Sequence, residues 1–332
     1  MKALILAPFD PSVLRRLGQT LDVTYESWME TKRLLSPQEF VDRIQGQGIE
    51  IIVVEADFLP REVFRNARNL KFVGVCRADL AHIDMAAATE SEVPVVNTPA
   101  RNATAVAELT VGLMLSLMRN IPAAHNMVRS GSWGDPTAAY FSLRGSEIWD
   151  KVVGIVGFGA IGRQVAKRLQ AFEARIIAYD PYVEPDQMRA VQVAAVDLDQ
   201  LMAQSDIITL HCATTEQTVG LIGAKQIALM KPTAYFVNAA SAYVVDQGAL
   251  IQALTERRIA GGAFDVYQDW PVKPDDPLLK LDNVVLTPHI GGATAETILR
   301  HSQMIADDVE RFLRGEKPEH LVNPQIWKEG VS

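Results

Sequence analysis

A chain of 332 residues with 48% hydrophobic and 22% charged residues has the make-up of a globular protein, and it is too long for one ordinary core, so about two domains are expected. Its net charge of -8 leaves no basic face for a phosphate backbone, which argues against nucleic acid as the main partner. No apolar run reaches the ~18 residues of a membrane span, and the opening "MKALILAPFD" has too short an apolar stretch and no small-residue cleavage site, which together read as a cytoplasmic protein. Cys76 and Cys212 stand alone in strand-like sequence and read as reduced, buried thiols.

From Lys2 to about Pro99 short aliphatic runs ("ALILAP", "IIVVEA", "LKFVGVC", "VPVVNTP") alternate with polar or amphipathic stretches, the pattern of a small parallel α/β domain. A long helical pattern follows from Asn102 to about Arg129, with Val106, Leu109, Leu113 and Leu117 on one face and Pro122 expected to kink or divide it. The segment "SGSWGDPTAAYFSLRGSEIW" is irregular; Trp133, Tyr140, Phe141 and Trp149 are costly to leave wet, which favours a dimer contact over a disordered loop. The alternation resumes at Lys151 with "VVGIVG", "RIIAYD", "DIITLH", "TAYFVN", "AGGAFDV" and "NVVLTPH", a second and larger parallel sheet. The last helix, Thr294 to about Arg314, has Thr294 as N-cap, a stripe through Ile298, Ile305, Val309 and Phe312, and Gly315 past its end; it is expected to cover the first domain.

Residues Val152 to Asp180 place Gly157, Gly159 and Gly162 in a GxGxxG pattern. That pattern alone is weak. Here it follows a strand, opens a helix with Ile161, Val165 and Leu169 on one face, and precedes by about 20 residues an acid, Asp180, that ends the next strand. Gly157 permits the tight turn, Gly159 lets backbone approach a pyrophosphate, and Gly162 allows close helix packing, while the helix N-terminus attracts phosphate. Asp180 would accept from the adenosine ribose and repel a 2′-phosphate, which favours NAD over NADP.

The chain at this point resembles the D-isomer-specific 2-hydroxyacid dehydrogenases, the family that includes phosphoglycerate dehydrogenase and glyoxylate reductase. The resemblance covers nearly the whole chain and rests on "VVNTPARNATAVAELTVGLML" (Val95 to Leu115), the glycine fingerprint, "LMKPTAYFVNAA" (Leu229 to Ala240), "AGGAFDV" (Ala260 to Val266) and "LTPHIGGAT" (Leu286 to Thr294). It implies two doubly wound parallel-sheet domains. A flavodoxin-like substrate domain would comprise residues 1–100 and 296–332, and a Rossmann NAD domain residues 101–295, with a cleft between them and a homodimer as the usual assembly. It further implies a small-molecule substrate, and cofactor contacts from Gly157, Gly159, Ala160, Ile161, Gly162, Asp180, Ala239, Ala240, Ser241, Asp265, His289, Gly291 and Gly292.

In that family a histidine in "TPHIGG" moves the proton, a glutamate before the proline of "DVFxxEP" orients it, and an arginine in "NTARG" binds the substrate carboxylate. His289 matches the first. Trp270, in "DVYQDWP", stands where the glutamate belongs, and Ser241, in "NAASAYVVD", where the arginine belongs. Relatives often carry "CRGGPVNVD" where this chain has "CRADLAHID", so Ala78 and Asp79 replace a glycine pair. Trp270 either fills space left by an abandoned substrate or stacks on a new one; Ser241 can offer one weak hydrogen bond where a charged fork once stood. Asp79 either pairs with Arg77, the favoured reading, or brings negative charge toward the anion spot; Arg101 either forms a salt bridge where its helix begins, again favoured, or partly replaces the missing cation; and Asp265 matches the family residue that holds the nicotinamide amide. The remaining histidines (His82, His125, His211, His301, His320) form no ligand cluster, so no metal is assigned. Two functions stay open. One is an NAD-dependent oxidoreductase with a rebuilt pocket, using His289, Ser241 and Trp270 on a substrate other than an ordinary 2-hydroxy acid. The other is a catalytically silent NAD(H)-binding sensor or scaffold.

Overall fold

The structure, a computed structural model, describes residues 1–327, and the chain divides into two compact units, Met1–Arg101 with Thr294–Ser332, and Asn102–Ala293. Positions 328–332 of the expected substrate domain lie outside the described residues.

In the unit built from both chain ends, five parallel strands run in the order β2-β1-β3-β4-β5: β1 Lys2–Ile5, β2 Asp22–Tyr25, β3 Ile51–Val54, β4 Phe72–Val75 and β5 Val95–Asn97. β3 and β4 are buried along their whole length, which is why they read as unbroken aliphatic runs: helices cover both faces. β2, "DVTY", is a half-exposed edge strand with too little apolar sequence to announce itself. The helix Ala295–Leu313 starts at Thr294, whose hydroxyl accepts from the Thr297 N–H, and buries Ile305 and Val309 in this unit. Gly74 makes room for it, since a Cβ there would lie 3.1 Å from Ile305 Cγ2.

The second unit has seven parallel strands in the order β12-β11-β10-β9-β6-β7-β8. They are β6 Val152–Val156, β7 Arg175–Tyr179, β8 Ala194–Ala195, β9 Ile207–Leu210, β10 Tyr235–Asn238, β11 Gly261–Phe264 and β12 Val284–Leu286. The order reverses direction between β6 and β9, and ligands of open α/β sheets bind at the carboxyl ends beside such a switch. The expected long helix is divided: Ala103–Met118 packs Val111, Met114 and Met118 into the core, Asn120 turns the chain at φ +53°, and Pro122 lies in the first turn of Ile121–Arg129. The segment taken as irregular contains a helix, Pro136–Ser142, capped by Asp135. Trp133, Tyr140, Phe141 and Trp149 are all exposed.

Candidate active site

The glycine turn leaves β6 at Gly157, whose φ of +92° and a would-be Cβ only 2.4 Å from the Cys212 nitrogen exclude any side chain. A Cβ on Gly162 would lie 2.3 Å from the Gly157 carbonyl oxygen, so the helix Ala160–Gln170 sits directly on the turn. At Gly159, the N-cap, nothing lies within 4 Å of a would-be Cβ, and no side chain caps the helix N–H groups of the turn beginning at Ala160 and Ile161. Open space over uncapped donors fits a pyrophosphate. Asp180 follows β7 and is fixed by two backbone donors, Phe158 N–H to Oδ2 at 2.8 Å and Tyr182 N–H to Oδ1 at 2.9 Å, which holds a carboxylate beside the phosphate turn. These residues fit an adenine dinucleotide.

Three further turns follow the adjacent strands β10, β11 and β12. After β10, Asn238 Oδ1 accepts from the Ala240 and Ser241 N–H groups (3.0 and 3.2 Å), and its Nδ2 donates to the Ser241 carbonyl at 2.8 Å. Ala239 is buried beneath this turn. The Ser241 hydroxyl oxygen accepts from Thr214 Oγ1–H at 2.7 Å and from the Tyr243 N–H at 3.2 Å. After β11, Asp265 is only 1% exposed, and its carboxylate accepts from Thr287 Oγ1–H (2.6 Å), Ile290 N–H (2.8 Å) and Gly291 N–H (2.8 Å). Those bonds tie down the turn after β12, in which His289 adopts φ +56°, a conformation that costs a non-glycine residue and needs outside support. Gly291 is required there, because a Cβ would touch Asp265 Oδ2 at 3.0 Å; at Gly292 a Cβ would lie 3.3 Å from Asn102 Nδ2.

The same geometry brings Trp270 onto His289, with ring centroids 5.0 Å apart and planes inclined at 43°. The indole is 73% exposed. An aromatic face therefore flanks the imidazole; an indole offers one N–H donor and no acceptor, so it cannot take a proton or hold an imidazolium by charge.

In the first unit Asp79 and Arg77 are both exposed and form no ion pair with each other among the described residues, contrary to expectation; Asp79 Oδ1 instead accepts the Ala81 N–H at 2.8 Å, closing its own turn. Arg101 forms a salt bridge to Glu55 at 2.7 Å, with side chains 16% and 14% exposed, and its second nitrogen meets His301 Nδ1 at 2.7 Å. His301 Nε2 lies 2.7 Å from the Pro8 carbonyl, which fixes the tautomer: Nε2 donates and Nδ1 accepts from the guanidinium. Burial, with Arg101 adding to it, lowers the His301 pKa to about 4. Cys76 is buried and its thiol pKa is pushed up, whereas Cys212 is only half-buried, not fully as expected, and burial still raises it to about 11; neither is a reactive thiolate.

Residues 111–291 match the family model described as D-isomer specific 2-hydroxyacid dehydrogenase, NAD binding domain. The chain belongs to the D-isomer specific 2-hydroxyacid dehydrogenases. It is 40% identical to a glyoxylate reductase of Thermofilum pendens over 88% of this chain and 86% of that one. It is 37% identical to a D-3-phosphoglycerate dehydrogenase of Archaeoglobus fulgidus over 97% of this chain but only 59% of that longer protein. A solved acyclic imino acid reductase in complex with NADPH and D-Arg shares its fold with a TM-score of 0.81 at 26% identity, over 97% of this chain and 100% of that one. This 2-hydroxyacid dehydrogenase relative is thus an NAD-dependent dehydrogenase or reductase acting on CH–OH, with the expected two parallel α/β sheets.

Sequence reading of the dehydrogenase motifs passed over Thr214, Glu55 and His301. His301 carried a usable signal: it falls between Ile298 and Ile305 on the apolar face of its helix, where a polar residue needs a buried partner. Thr214 carried none, because only the fold brings the turn after β9 against the turn after β10.

Proposed function

We propose that this protein is an NAD-dependent oxidoreductase with an altered substrate pocket, acting at a hydroxyl or carbonyl carbon of a substrate other than an ordinary 2-hydroxy acid. In this reading residues 1–100 and 296–332 form the substrate domain and residues 101–295 the NAD domain. Support comes from one observation above the rest: the histidine turn is kept intact by Asp265 while an indole, not a carboxylate, flanks the imidazole. NADH, held by the glycine turn and Asp180, would supply the hydride when bound. His289 would give the proton to the developing alkoxide and recover it in the reverse direction. Ser241 would donate one hydrogen bond to the same oxygen, and Trp270 would pack against the substrate. Ala239, Ala240, Gly291 and Gly292 would line the nicotinamide side as backbone, and Asp265 would act there chiefly by holding the His289 turn.

Glyoxylate, pyruvate and hydroxypyruvate with NADH test the reading. Losing a charge-assisted fork to the carboxylate costs on the order of several kcal/mol, or thousands-fold in rate, so turnover of all three should be very slow. Ordinary dehydrogenase efficiency on any of them would overturn the altered pocket; tight NADH binding with no turnover of any carbonyl compound would favour the silent sensor. A homodimer fits the exposed Trp133, Tyr140 and Phe141, and a cytoplasmic setting fits two free thiols; equilibrium sedimentation of the wild type against Tyr140→Asp/Phe141→Asp addresses the first.

A further inference from the structure

We infer that the turns after β10, β11 and β12 recognise an uncharged carbonyl compound bearing an aryl or branched apolar group, in place of a carboxylate-bearing one. The inference rests on the oxidoreductase reading above and names its substrate class.

The Ser241 hydroxyl is the first support. An alcohol oxygen has two acceptor positions and one proton. Thr214 and the Tyr243 N–H take both acceptor positions, so only the donor is left, aimed by the two bonds already made. The Ala240 and Ser241 N–H groups are also spent, as are the Asn238 amide oxygen and one of its two amide hydrogens, all within the turn. At Ser241 what remains is one neutral donor and no cation. One such donor satisfies the oxygen of a ketone or ester; a carboxylate stripped of water needs several donors or a cation.

The second support is apolar surface. Trp270 is 73% exposed and Tyr243 54% exposed, and the Trp270 ring already lies on His289. The Tyr243 hydroxyl approaches the Gln268 carbonyl at 3.5 Å, which ties the turn after β10 to the loop that carries Trp270. The Trp270 face on the proton-transfer imidazole, with Tyr243 exposed near the same loop, suits an aryl or branched alkyl substituent. In the reduction the carbonyl carbon receives the hydride and its two electrons from NADH. The C=O π pair moves to oxygen, Ser241 donates to that oxygen, His289 supplies the proton, and an alcohol and NAD are the products.

The test uses the full chain with NADH and shape-matched pairs: methyl benzoylformate against phenylglyoxylate, and methyl pyruvate against pyruvate. Each ester should exceed its acid at least tenfold in kcat/KM, and the aryl ester should exceed the methyl one. Trp270→Ala should abolish the aryl preference while Trp270→Phe retains it, and Ser241→Ala should lower kcat for the esters at least tenfold. Binding of benzamide and oxamate to the NADH complex, read by calorimetry, separates the two readings. If no carbonyl compound is reduced but benzamide still binds more tightly than oxamate, the oxidoreductase reading fails and the recognition stands. Preference for the acids, tighter binding of oxamate, absence of binding by either amide, or an aryl preference untouched by Trp270→Ala would overturn the inference.

Discussion

Charge at individual positions carries the proposed reading of the pocket. In the proposed reading Ser241 and Trp270 stand where a carboxylate-binding and a histidine-orienting residue would be, beside a His289 turn held by Asp265. Restoring both should therefore matter more than restoring either. The Ser241→Arg/Trp270→Glu double variant is expected to reduce glyoxylate at least tenfold faster than the wild type. Each single variant should stay near baseline, since arginine alone leaves His289 unoriented and glutamate alone adds an unpaired negative charge to an anion site. NADH consumption by the four proteins decides it, and additive single effects would contradict the account. Asp180 carries a second prediction. Its carboxylate is pinned by Phe158 and Tyr182, so NADH should bind at least tenfold more tightly than NADPH, and Asp180→Ala should narrow that gap; calorimetry with both cofactors checks it.

The glycine turn and the helix Ala160–Gln170 form one unit because no side chain fits between them. Gly162→Ala sets a methyl group against backbone, the Gly157 carbonyl, which cannot swing aside as a side-chain end could. The helix must move outward, away from the space over Gly159. NADH affinity should fall at least tenfold with a lower melting temperature, whereas Lys167→Ala, exposed near the other end of the same helix, should leave affinity unchanged. Titration and thermal melts of both variants are the measurement. The turn after β12 works by a similar logic, with three donors converging on buried Asp265 so that His289 keeps a positive φ. Asp265→Asn turns one acceptor into a donor facing an N–H, and turnover should drop at least tenfold because the histidine turn loosens.

At the scale of the whole molecule, buried neutral histidines make stability depend on pH. His301 has a folded pKa of about 4 against an ordinary 6.5, and His211, fully buried in the other unit, falls to about 3. The unfolded chain therefore binds more protons between those values. The stability is present above pH 6.5 and is lost as pH falls toward 4. For His301 the loss at pH 5 is about 2 kcal/mol. Urea midpoints at pH 7.5 and 5.0 should show the wild type weakening with acid, and His301→Gln, which can still accept from Arg101 and donate to the Pro8 carbonyl, weakening less. Equal slopes would exclude His301 as a source.

Sequence by itself determined the elements whose signal is local. Buried parallel strands such as "IIVV" and "FVGV" are apolar at every position because both faces are covered, the Thr294 cap and Gly315 mark helix ends, and the glycine spacing with Asp180 marks a dinucleotide turn. Ser241 and Trp270 were also legible as candidates, since they stand out against the motifs the chain resembles. β2 was not, because a half-exposed edge strand has no apolar run, nor was the short helix Pro136–Ser142 among turn-forming residues. Only tertiary structure decided what Ser241 and Trp270 touch. That Trp270 lies on His289, that Thr214 fills an acceptor site of Ser241, and that Glu55, Arg101 and His301 share one buried cluster all depend on strands far apart in the chain. Side-chain periodicity reports which face of an element is buried; it carries no information about which distant residue meets it there.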